Sequence, residues 1–102
     1  MSENILTKEE LRNSVGLTIE DFDEELQATE AAAIKKLKLS GILASKITKD
    51  DKLITTTILS YVKANFRFTE ASLAERYQQV IEENKNFMRS TAEYTVKSGE
   101  TK

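Results

Sequence analysis

The chain has no cysteine, histidine, proline or tryptophan, and only three glycines in 102 residues. Without cysteine there are no disulfides, no thiol nucleophile and no zinc site built on soft ligands. Without histidine the commonest general base near neutral pH is missing. Most enzyme mechanisms are thereby excluded, and the lack of cysteine fits a reducing compartment. No apolar run approaches the length of about 20 residues needed to cross a bilayer. The start, Met1-Ser2-Glu3-Asn4, has no basic segment followed by an apolar stretch. A soluble, intracellular chain with no membrane partner is therefore expected. With no proline, and glycine only at positions 16, 41 and 99, little interrupts a helix. Ala, Glu, Lys and Leu are plentiful, so helix is favoured throughout.

A chain of this length holds one domain, and it hides only about two thirds of its unfolded surface. Its own stability is expected to be modest, and neighbours in an assembly can add to it.

The pattern of start and stop signals divides the chain. Thr7-Lys8-Glu9-Glu10 has the form of a capping box, predicting a short helix to Val15 that Gly16 ends. Thr18-Ile19-Glu20-Asp21 predicts the start of a second helix, in which Ile19, Phe22, Leu26, Ala33 and Leu37 form one stripe. Its last turn carries Lys35, Lys36 and Lys38, which suits the negative end of the helix dipole. Ser40-Gly41 is a strong stop, and residues 42–47 read as a short strand or packed loop.

Thr48 is expected to cap a third helix, with Asp51 as the capping-box acid. Ile54, Ile58, Val62 and Phe66 follow at i+4 steps and predict the centre of the core. The opposite stripe, Lys52, Thr56, Lys63 and Arg67, is polar and basic. Thr55, Thr56 and Thr57 are poor helix formers, so packing must hold this segment helical. Phe68-Thr69-Glu70 predicts a turn, with Thr69 as cap of a fourth helix. That helix carries Leu73, Tyr77, Val80, Ile81, Phe87 and Met88 on one face and reaches Tyr94. Residues 95–102 are polar and read as a flexible tail. The expectation is an all-α fold over residues 1–94, a small bundle of about four helices with an irregular or extended loop near 40–47.

Functional chemistry is sparse. Asp21-Phe22-Asp23-Glu24-Glu25 lacks the alternating ligands and the bend glycine of a calcium loop. Asp50-Asp51 and Glu82-Glu83 are adjacent pairs, which on a helix point about 100° apart and do not converge on a substrate. There is no phosphate-cradling glycine loop and no hydrolase serine elbow. No catalytic residue, cofactor or metal is expected. Charge, however, is polarised. Residues 1–30 hold nine acids against Lys8 and Arg12, a net −7, and residues 31–67 hold eight bases against Asp50 and Asp51, a net +6. Two such patches can pair between neighbouring copies, or they can face each other within one subunit.

Leu6 to Val15, Ile19 to Leu39, Gly41, and Asp50-Asp51-Lys52-Leu53-Ile54 leading to Tyr61-Val62-Lys63-Ala64-Asn65-Phe66 together form a pattern. With Tyr77-Gln78-Gln79 and a closing Tyr94, it resembles the small head-tail connector proteins of tailed bacteriophages, also called head completion or adaptor proteins. The resemblance covers roughly residues 5–94. The chain departs from it at Arg67-Phe68, where such proteins tend to have glycine or a small polar turn.

The resemblance implies a structural protein of the virion head-tail interface, present in the host cytoplasm during assembly. Copies would form a ring beneath the portal protein, dodecameric in the virion and monomeric when free. The ring would extend the channel through which double-stranded DNA passes without sequence readout, and would dock a tail-side stopper or connector protein. Candidate subunit or portal contacts are Glu20, Asp21 and Glu24 in the acidic part, Lys52, Lys63 and Arg67 on the basic stripe, and Tyr94. The alternative is a small helical DNA-binding or regulatory protein using that stripe, although DNA-binding domains usually carry a strong basic excess and this chain is slightly acidic.

Overall fold

The computed structural model describes residues 4–95. Among the described residues every regular element is helical: α1 (Lys8–Ser14), α2 (Asp23–Leu39), a 3-10 turn (Ala44–Lys46), α3 (Lys52–Ala64), α4 (Ala71–Arg89) and α5 (Ala92–Thr95). The all-α expectation holds, with a fifth short helix beyond the four longer ones.

The capping box of α1 forms as the sequence predicts. The Glu10 amide donates to Thr7 Oγ1 at 3.0 Å, and the Thr7 amide donates to the Glu10 carboxylate at 2.8 Å. Helices α1 and α2 end in the same way. The Gly16 amide donates to the Asn13 carbonyl and the Leu17 amide to that of Arg12. The Gly41 amide donates to the Lys38 carbonyl and the Ile42 amide to that of Leu37. Each is a Schellman closure that needs a left-handed residue, supplied by Gly16 at φ +76° and Gly41 at φ +100°.

Several boundaries differ from the sequence expectation. Helix α2 begins at Asp23, after Phe22, so Ile19 precedes the helix and is 48% exposed. The tertiary position of Phe22 sets this start: its ring packs edge-on against Phe66 and Phe68. Asp51, not Thr48, caps α3, accepting the Ile54 amide at 3.1 Å. Thr48 instead offers its backbone carbonyl to the Asp51 amide. Thr69 is not a cap either, since its hydroxyl donates to the Lys63 carbonyl at 2.7 Å and Glu70 takes the cap position of α4. The fourth helix stops at Arg89 rather than continuing to Tyr94. There the hydroxyls of Ser90 and Thr91 both donate to the Phe87 carbonyl, competing with the backbone ladder. The 40–47 loop contains the 3-10 turn and no strand. Of the polar tail, only Thr95 lies within the described residues, where it closes α5.

Contacts at the two ends give the direction of the helices. Glu25, in the first turn of α2, pairs with Arg67 just beyond α3. Tyr94, beyond the end of α4, bonds to Asp51 at the start of α3. Helix α3 therefore runs against both α2 and α4, which point the same way. It packs on both of them, whereas α2 and α4 make only marginal contact with each other.

The core follows from this placement. Ile54, Ile58 and Val62 of α3 are fully buried, with Phe66 close behind. Leu26, Ala33, Ile34 and Leu37 from α2, Leu11 from α1, Leu6, Ile42 and Ile47 from the connecting segments, and Met88 and Tyr94 complete the cluster. Thr57 is drawn inside with them, and its hydroxyl is satisfied by the Leu53 carbonyl at 2.8 Å. Packing thus offsets the weak helix preference of the threonine run.

Candidate assembly surfaces

The acidic and basic parts of the chain meet within one subunit. Arg67 reaches Glu25 through Nη2 at 2.7 Å and Nε at 3.1 Å, and its guanidinium lies over the Phe22 ring, 5.2 Å from the centroid. Lys49 pairs with Glu10 at 3.1 Å. Within the acidic part, Arg12 holds Asp23 at 2.9 Å. These contacts raise the pKa of Arg12 and Arg67 above the ordinary guanidinium range, chiefly by the hydrogen bonds to Asp23 and Glu25. The Glu10 carboxyl is lowered, first by the Thr7 amide and then by Lys49.

The sequence-predicted contact residues therefore fall into three groups. Glu20, Asp21, Glu24 and Lys52 are exposed. Lys63 and Arg67 are committed to neighbours in the same chain: Lys63 Nζ sits 5.4 Å from the centre of the Tyr77 ring, and Arg67 bridges Glu25 and Phe22. Tyr94 turns inward. Its hydroxyl donates to Asp51 Oδ2 at 2.9 Å, and its carbonyl accepts the Leu43 amide at 2.8 Å. Burial first, and the Asp51 carboxylate second, push the Tyr94 hydroxyl up to about 12.

Glu30 is a residue that sequence reading had counted only as part of the acidic segment. It is fully buried, and its Oε2 accepts the amides of Ile5 and Leu6, both at 2.9 Å. Its Oε1 accepts from the side chain of Asn4. One carboxylate thus ties the segment before α1 onto α2. The signal was available, because position 30 lies on the same helical stripe as Leu26, Ala33, Ile34 and Leu37.

The single apolar face expected for the fourth helix is split, with Ile81 and Met88 buried and Leu73 and Phe87 outside, and not all large apolar side chains find cover. Leu39, Phe68, Leu73 and Phe87 are 77%, 67%, 42% and 57% exposed. Phe68 joins Phe22 and Phe66 in a cluster of edge-to-face rings and borders a shallow groove shared with Val15, Thr69, Leu73 and Tyr77. A second shallow depression runs along the outer side of α2, over Ala28, Ala31 and Ala32 to Lys35 and Leu39. A third follows the outer side of α4, past Leu73, Arg76, Val80 and Glu83. A small protein of this kind, with apolar side chains left outside a filled core, presents surfaces suited to other macromolecules.

A family model described as phage connector protein matches residues 6–95. The chain belongs to the phage connector protein family. No curated protein and no solved structure matches it. The matched span begins at Leu6, whose amide Glu30 holds, and ends at Thr95, so it takes in every helix described above. Membership gives the connector a structural role in the phage particle. Among the described residues, none of its helices is long and apolar enough to cross a membrane.

Proposed function

We propose that this connector assembles as a ring of identical copies beneath the portal protein, extends the channel for double-stranded DNA, and presents a docking surface to a tail-side stopper or connector protein. The observation that carries this reading is the family match over residues 6–95. The exposed apolar side chains outside a filled core support it, because a ring requires two different patches on each subunit. The role is structural and needs no cofactor. The exposed charges at Glu20, Asp21, Glu24 and Lys52 are available for contacts with the portal or with neighbours. Lys63 and Arg67, which meet Tyr77 and Glu25 of the same subunit, also reach the surface, Arg67 being exposed, and are candidates for the same contacts.

Co-sedimentation of the purified chain with portal-bearing heads that lack it tests the proposal. Stoichiometric binding at the portal vertex is expected. No binding, together with a salt-dependent shift of DNA, would replace this reading with that of a small helical DNA-binding protein.

A further inference from the structure

Helix α2 is apolar on two sides. Its inner stripe faces the core, while Ala28, Ala32, Lys35 and Leu39 lie along its outer side at steps of four, three and four residues. Helix α4 repeats that spacing outward with Arg76, Val80, Glu83 and Phe87. A helix that is apolar on opposite sides is normally covered on both, yet Leu39 and Phe87 are 77% and 57% exposed.

From this match we infer that the outer face of α2 in one copy packs in parallel against the outer face of α4 in the next. The inference rests on the ring reading above and names the two faces that meet. The pairing is Ala32 with Val80, Lys35 with Glu83, and Leu39 with Phe87.

Three observations support it. The alternation of four- and three-residue steps is the spacing of a two-helix seam, in which equivalent positions face each other in a parallel pair. Small Ala32 on α2 leaves room for the larger Val80, the exposed apolar side chains of Leu39 and Phe87 cover each other, and Lys35 meets an acid, Glu83. Finally, α2 and α4 point the same way on separate sides of α3, so a rotation about an axis along the helices brings the α4 of one subunit beside the α2 of another without reversing either. The two patches differ, so the contact repeats from copy to copy instead of closing as a pair.

The test uses introduced thiols in the full chain, which has no cysteine of its own. Ala32→Cys and Val80→Cys are made singly and together, and treated with a short bismaleimide in concentrated free protein and after binding to portal-bearing heads. The double variant should give a ladder of multimers. The two single variants should link when mixed and stay monomeric alone. Leu39→Cys with Phe87→Cys, both at exposed positions, provides a second pair that does not disturb packing. Lys35→Glu should lower the yield of linked product, and adding Glu83→Lys should restore it.

A ladder in either setting supports the interface. No ladder with either pair in either setting overturns it, as does linking of a single variant to itself at equal yield. Head binding without linked product would reject these faces and leave the connector role standing. Failure to bind heads would reject that role, and the free-protein ladder would then decide the interface alone.

Discussion

The hydroxyl of Tyr94 lies 2.9 Å from Oδ2 of Asp51, while Oδ1 of the same carboxylate accepts the Ile54 amide at 3.1 Å. One acid thus starts the central helix and holds the last one against it. The Leu43 amide reaches the Tyr94 carbonyl from the other side, so three separate parts of the chain converge on this corner. A sequence reading of Tyr94 as the closing residue of a pattern becomes, physically, a buried tether.

Removing only the hydroxyl, with Tyr94→Phe, should lower stability by about 1.5 to 3 kcal/mol, the usual worth of a hydrogen bond to a charged group. Asp51→Ala should cost more, because it also removes the helix cap, itself worth about 1 kcal/mol. Urea unfolding of the three proteins checks the order. Equal stability of Tyr94→Phe and the parent would mean that the tether contributes nothing.

The same residue predicts an alkaline effect. The Tyr94 hydroxyl is pushed up to about 12, whereas an unfolded tyrosine titrates near 10. Below pH about 10 both states keep the proton and the stabilisation is whole. Between about 10 and 12 the unfolded chain loses its proton first, so stability falls, by on the order of 1 to 3 kcal/mol. The difference between the parent and Tyr94→Phe should therefore narrow over that window in unfolding curves taken at successive pH values, and a constant difference would contradict it.

Glu30→Ala should destabilise the fold by about 2 to 4 kcal/mol, since it leaves donors from Asn4, Ile5 and Leu6 without their acceptor. Hydrogen exchange at the Ile5 and Leu6 amides should accelerate well before exchange in α3. Slow exchange at both amides in the variant would show that Glu30 is not what holds this segment.

Ile58 and Phe87 should behave in opposite ways. Ile58 is fully buried, and Ile58→Ala should cost about 2 to 5 kcal/mol. Phe87 is mostly exposed, so Phe87→Ser should change stability by no more than about 0.5 kcal/mol while weakening association with heads. A loss below about 1 kcal/mol for Ile58→Ala would show that the core is centred elsewhere.

The parts of the fold legible in the sequence are those in which one local signal acts alone. The i+4 run Ile54, Ile58, Val62 and Phe66 is buried as its spacing requires, and the capping box at Thr7 and the glycines after α1 and α2 act where they stand. Legibility fails where two residues can do the same job. Thr48 and Asp51 are both competent caps, and Asp51, which also receives the Tyr94 hydroxyl, takes the position. Thr69 and Ile19 depend on contacts made across the fold, with Lys63 in one case and around Phe22 in the other. On the surface, the sequence leaves open whether Arg67 pairs within the subunit or between copies, because its partner Glu25 lies 42 positions away. The inward Glu30 was hidden among eight other acids of the first 30 residues, although its phase on the helix marked it.

The succession of α2, α3 and α4, each packed on the next, also governs how quickly the chain matures. Helices that meet their sequence neighbours close short loops, and small helical domains of this type fold in microseconds to milliseconds. With no proline in the chain, no slow isomerisation step delays it. Ribosomes add only about 5 to 20 residues per second. Folding of this domain should therefore take far less time than its synthesis, so that translation, and not folding, limits how fast it matures.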